Sequence, residues 1–170
     1  MKINNIDELK KLEIDDFTER LFQLHKSLLD EKRFSVNLYS VKLPDDRLVK
    51  DTAERLFKEL KHHIYKEENI LFPYLINLSR SSRNELPFEQ PYFESVKNPI
   101  EILKSDHELI KDCVDKLKDF MKKSEVNSQH KISISEKLKN FLEDVERVIY
   151  LEDEILFPRA IQIEKSLLKK

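Results

Sequence analysis

Glycine and tryptophan are absent from the 170 residues, and cysteine occurs once, at Cys113. A lone cysteine excludes an intramolecular disulfide, and the opening "MKINNIDELKK" lacks the apolar stretch of a signal peptide, so a reducing, cytoplasmic setting is expected. Long hydrophobic runs are missing too. The longest, "ILFPYLI", contains a proline and falls well short of the roughly 20 residues that span a bilayer, so no membrane partner is expected. Nor is one charge in excess: 31 basic side chains nearly cancel 33 acidic ones without long blocks of either sign, which argues against nucleic acid or an anionic membrane as partner.

What remains is rich in Lys, Glu, Leu and Ile, the composition of long solvated helices with aliphatic stripes, and the length suits one domain over residues 1–170. Apolar spacing predicts helices over roughly 14–42, 45–79, 99–123 and 132–166, an all-α protein packed as an antiparallel up-and-down four-helix bundle. The first stripe is Phe17, Leu21, Leu24 and Leu28, and "LPDD" ends it, with Asp45 or Asp46 as a cap for the second helix. That helix carries Val49, Ala53, Leu56, Leu60, His63, Glu67, Ile70 and Tyr74 on its inner face. After a proline-containing connection, Asn98-Pro99 opens a third helix whose stripe, from Ile100 to Met121, is interrupted only by His107. The fourth shows Ile134, Leu138, Phe141, Val145, Val148, Glu152 and Ile155.

Two stretches nearly repeat each other: "HHIYKEENILFPYL" from His62 and "RVIYLEDEILFPRA" from Arg147. Each carries a late Phe-Pro pair, whose proline removes a backbone donor and should kink its helix, and the shared frame suggests a duplicated helical hairpin.

The histidines divide. His62 falls on a charged face and His130 in a polar connection, whereas His25, His63 and His107 point inward together with Glu67 and Glu152. A single core histidine is ordinarily just hydrogen-bonded. Buried carboxylates weigh differently, because an ionised one without a partner costs several kcal/mol, and no Lys or Arg shares these stripes. A cation between the helices is therefore expected. His63 and Glu67, four residues apart, project from one side of their helix, and imidazole with carboxylate but no thiolate suits iron, manganese or zinc. "HELIK" at His107 lacks the second histidine of a zinc-protease motif, and the His-x-x-x-Glu order differs from the Glu-x-x-His of ferritin-like bundles. No nucleophile–base constellation stands out, and Cys113 reads as packing.

Together, His25, "HHIYKEENILFP", "NPIEILKSDHELI" and "YLEDEILFPRA" resemble the hemerythrin-like, HHE-type cation-binding bundles, and among them the iron–sulfur cluster repair di-iron proteins most closely. The resemblance spans nearly the whole chain. It implies a non-haem di-iron site whose ligands fall on His25, His63, Glu67, His107 and Glu152, while the family's remaining ligand histidine falls on Val148 and its neighbour on Tyr150. The cysteine-bearing N-terminal domain of many repair proteins has no counterpart here. Carried over, His25 and His63 hold one iron, the glutamates bridge, and His107 is the only imidazole of the other. Water is the expected substitute for the missing ligand, ahead of Asp144 at the stripe's edge and of Tyr150, which lies roughly 200° around the helix from Val148. The resemblance further implies action under nitric oxide or oxidative stress, with damaged iron–sulfur proteins as partners. The alternatives are an oxygen- or nitric-oxide-binding sensor or carrier, and a metal-poor bundle serving protein contact.

Overall fold

The computed structural model describes residues 6–30, 47–123 and 129–169, the side chains of Ile6, Lys123 and 129–135 excepted, and no strand occurs among the described residues. A short helix α1 (Ile6–Leu9) precedes α2 (Ile14–Leu28). Helix α3 (Arg47–Lys66) passes through a π-helical turn (Glu67–Leu71) into α4 (Phe72–Ser82). Helix α5 (Lys97–Lys123) follows, and then α6 (Gln129–Leu151), a second π-helical turn (Glu152–Leu156) and α7 (Phe157–Leu167). No helix among the described residues is long and apolar enough to cross a membrane.

Helix α2 buries Phe17, Leu21 and Leu28 as its spacing predicts, and Asp15 and Asp16 in its first turn favour the positive end of the helix dipole. It stops at Leu28, well before the expected end near residue 42, because Leu29 at its C-cap leaves helical geometry (φ −86°, ψ 4°). The expected continuation through 31–42 and the Asp45 or Asp46 cap lie outside the described residues. Helix α5 begins at Lys97 rather than Pro99: the Ser95 hydroxyl accepts the Lys97 N–H at 3.3 Å, and Pro99 sits in the first turn, where its missing donor is not needed. His130 belongs to α6 instead of a connection, and its side chain and that of Ile134 are outside those described.

The larger departure is the pair of π-helical turns. In each, the N–H of the phenylalanine reaches five residues back, from Phe72 to the Glu67 carbonyl and from Phe157 to that of Glu152, and the following proline then occupies the start of a fresh α-helix. Each rod thus takes in one extra residue at the turn. This advances the apolar phase by about 100°. Ile70 and Tyr74, expected on the inner stripe, become exposed and half-buried, while Leu71, Leu75 and Leu78 are fully buried.

Helix α2 packs on α4 and α6, α3 on α5, α4 on α7, and α5 on α6, and their buried side chains form a continuous apolar cluster. Two polar ties close the end away from α3. Buried Glu164 of α7 accepts Tyr74 Oη and the Val96 N–H on Oε1, both at 2.8 Å, and the Ser95 hydroxyl on Oε2 at 2.7 Å. Asp15 accepts Arg83 Nη2 at 2.8 Å and the Ser79 hydroxyl at 3.0 Å, tying α2 to the end of α4.

Glu164→Ala strands three donors, and chemical denaturation is expected to show a loss of about 2–4 kcal/mol, with Glu164→Gln losing less because an amide oxygen still accepts. The Arg83 hydrogen bonds hold the Asp15 carboxyl down, from 3.8 to about 2. A depressed carboxyl stabilises the fold above its unfolded value and ceases to do so as pH falls through the folded one. The stability gap between wild type and Asp15→Asn is therefore expected to be constant above pH 5 and to close between about pH 4 and pH 2.

Candidate metal centre

Each inward polar residue is delivered by an apolar stripe. His25 lies between Leu21 and Leu28 on α2, His107 between Leu103 and Ile110 on α5, and His63 one turn past Leu60 on α3, with Glu67 and Glu152 opening the two π-helical turns. All five are buried and converge on one volume.

The carboxylates lie between two groups of imidazoles. Glu152 turns Oε1 to His25 Nε2 at 3.3 Å, and Oε2 to His107 Nε2 at 3.1 Å and His63 Nε2 at 3.7 Å. Glu67 Oε2 lies 3.4 Å from Nε2 of both His25 and His63. His63 and His107 meet Nε2 to Nε2 at 3.1 Å. Two sets of three ligand atoms thus lie close enough to hold an ion, His63 with His107 and Glu152, and His25 with Glu67 and Glu152, while Glu67 also faces His25 and His63 alike. The first set follows from helix adjacency: α3 lies along α5, which brings His63 against His107.

Behind the imidazoles stands a ring of acids that the apolar stripes do not reveal. Glu68 Oε1 is 3.2 Å from His25 Nδ1, Asp153 Oδ1 is 2.9 Å from His107 Nδ1, and Asp106 Oδ2 is 3.5 Å from His63 Nδ1. Two of these acids are tied to lysines: Lys66 Nζ donates to both oxygens of Asp106, at 3.0 and 2.7 Å, and Lys111 Nζ to Asp153 at 3.3 Å. Glu68, Asp106 and Asp153 each stand next in sequence to an inward residue, and the Glu67-Glu68, Asp106-His107 and Glu152-Asp153 pairs were the available signal. An acid on Nδ1 holds the proton there and turns the Nε2 lone pair inward, the arrangement in which histidines bind metals. Phe72 stacks on His25 and Phe157 on His107, with ring centroids 5.5 and 5.8 Å apart, fixing both rings from the side.

Several polar atoms here are buried without a hydrogen-bond partner: both oxygens of Glu67, Oε2 of Glu152 and Nδ1 of His63. Burial and the facing Glu152 raise the Glu67 carboxyl above its ordinary value, whereas Glu152, despite burial, is held well below its own by His107, His25 and His63. Burial lowers His25, but Glu152, Glu68 and Glu67 outweigh it and lift it to about 9; His63 likewise ends well raised through Glu67, Asp106 and Glu152. Proton-bearing imidazoles thus offset the carboxylates only partly. The remaining oxygens and the inward nitrogens are the donor set of a hard or borderline cation, so the residues fit a metal.

Elsewhere, His62 is exposed, as expected, and Cys113 is buried with its thiol pushed up by burial, in keeping with packing. Val148 is buried in the core, Asp144 is half-buried, and Tyr150 faces solvent.

A family model, the hemerythrin HHE cation-binding domain, matches residues 14–160, and the chain belongs to that family. No curated protein and no solved structure matches it.

In metal-free protein, Glu152→Gln removes the charge that faces three imidazoles and is expected to cost about 3 kcal/mol in denaturant titrations. Glu67→Gln, replacing a carboxyl already biased toward its neutral form, is expected to cost much less.

Proposed function

We propose that this chain is a cytoplasmic non-haem iron protein, a single domain built as an antiparallel up-and-down four-helix bundle, that acts in the response to nitric oxide or oxidative stress and in the repair of iron–sulfur clusters. The observation that carries the metal part is the convergence of three inward imidazoles on two buried carboxylates whose oxygens lack partners. His25, His63, Glu67, His107 and Glu152 are the proposed ligands. The bundle is supported by the contacts of α2 and α5 with both the α3–α4 and α6–α7 rods, and of the two rods with each other.

Iron in this setting supplies a redox-active centre that can take a small ligand at an open coordination position. The chain's own contribution is positional: Glu68 and Asp153 orient His25 and His107, the two phenylalanines fix the ring planes, and the apolar cluster restricts water. The repair role is supported by the His63-to-Pro73 and Tyr150-to-Ala160 segments and by the absence of one histidine, at Val148, which suits a protein that gives up metal.

Freshly purified protein is expected to contain iron. Adding Fe(II) anaerobically to metal-free protein is expected to raise the melting temperature, by about 2.7 kcal/mol of stabilisation when free metal exceeds Kd a hundredfold. An unchanged melting curve in a preparation free of iron, manganese and zinc sinks the metal reading. For the repair role, iron-loaded protein should restore cluster absorbance in a nitric-oxide-damaged iron–sulfur protein, and equal recovery with free iron alone counts against it.

A further inference from the structure

Each Phe-Pro pair is followed by a hydrogen-bond donor, Tyr74 after Pro73 and Arg159 after Pro158. Their partners differ. Tyr74 Oη donates to the buried Glu164 carboxylate at 2.8 Å, so the chain itself supplies a charged acceptor. Arg159, on α7, has only a backbone carbonyl: Nη2 donates to the Leu12 oxygen at 2.6 Å, between α1 and α2, and no carboxylate meets the guanidinium among the described residues. Its Nη1 is buried without a hydrogen-bond partner.

A guanidinium stays charged at any physiological pH and carries five donors in a fixed plane, so a half-buried one with a single carbonyl is short of negative charge. Arg83 shows the satisfied state. Also half-buried, it donates to Asp15, Glu85 and the Ser79 hydroxyl.

Beside Arg159, α4 and α7 enclose an open recess of about 300 Å³, lined by Ser82, Gln162, Ile163, Ser166 and Leu167 together with the arginine. That volume is at the small end of the range in which organic ligands are held. Arg159 is the only charged residue of the lining, which matches a monoanion, and Ile163 and Leu167 give it an apolar wall. The two serine hydroxyls already donate within their own helices, Ser82 to the Ser79 carbonyl at 2.6 Å and Ser166 to that of Gln162 at 2.9 Å. The guanidinium and the Gln162 amide are therefore the donors left to hold an anion.

We propose that this recess binds a small organic monocarboxylate, with its carboxylate on Arg159 and its short apolar body against Ile163 and Leu167. Planar, charge-assisted pairing is what a guanidinium offers a carboxylate. A phosphate dianion is matched less well by a single cation. None of the five inward residues of the metal centre takes part, so the site stands or falls separately from the cation-binding reading.

The test is an NMR titration of the full, isotope-labelled chain with sodium isovalerate at constant ionic strength, following the backbone amides of Ile163 and Leu167, with circular dichroism as the check on folding. Wild type is expected to show saturable shifts. The dissociation constant is expected to rise about tenfold or more in Arg159→Gln, which removes the charge, and in Gln162→Glu, which sets a rival carboxylate at an exposed position of the lining. Should Arg159→Gln lose its fold along with its tie to Leu12, the Gln162→Glu titration decides. Shifts that grow linearly without saturating, an unchanged dissociation constant in Gln162→Glu, or an equal response to inorganic phosphate overturns the proposal.

Discussion

Two carboxylates buried between helices impose the constraint on which the rest of the centre depends. Glu67 and Glu152 are removed from water, and an ionised group in such a place is tolerated only where positive charge or donors surround it. The three imidazoles supply part of that, Glu68 and Asp153 fix which nitrogen of His25 and His107 faces inward, Asp106 faces His63, and Lys66 and Lys111 carry the compensation toward solvent. Acid and base alternate outward in shells from Glu152 through His107 and Asp153 to Lys111. Each layer lowers the cost of the one inside it.

The apolar stripes made the helices and the five inward polar residues legible from sequence, since His25, His63 and His107 replace aliphatic residues at positions where the period demands burial. Three features escaped. The grouping of His63 with His107 depends on which helices are neighbours, and a stripe carries no information about adjacency. The outer acids sit one residue off the stripe, where a charged side chain ordinarily means a solvated face. The π-helical turns were foreshadowed by the Phe-Pro pairs, but a proline signals only a missing donor, and whether the helix bends or takes in an extra residue is decided by packing.

The halves of the chain preserve the stacking and the inner glutamates while differing in the polar chain behind one imidazole. Buried Glu164 shows the opposite use of the same group: with Tyr74, Ser95 and Val96 all donating to it, its oxygens are satisfied by protein alone and need no ion. Glu67, by contrast, keeps both oxygens without a hydrogen-bond partner.

The π-helical turns also have an inheritance consequence. Each divides its rod into two segments whose faces are set independently, the first burying His63 or Val148 and the second, in the α3–α4 rod, Leu75 and Leu78. An insertion or deletion of one residue within the turn rotates the far segment without disturbing the near one, so the length of Glu67–Leu71 and Glu152–Leu156 is under tighter constraint than the identity of their exposed residues. Asn69 and Glu154, both solvent-facing, lie within these two turns.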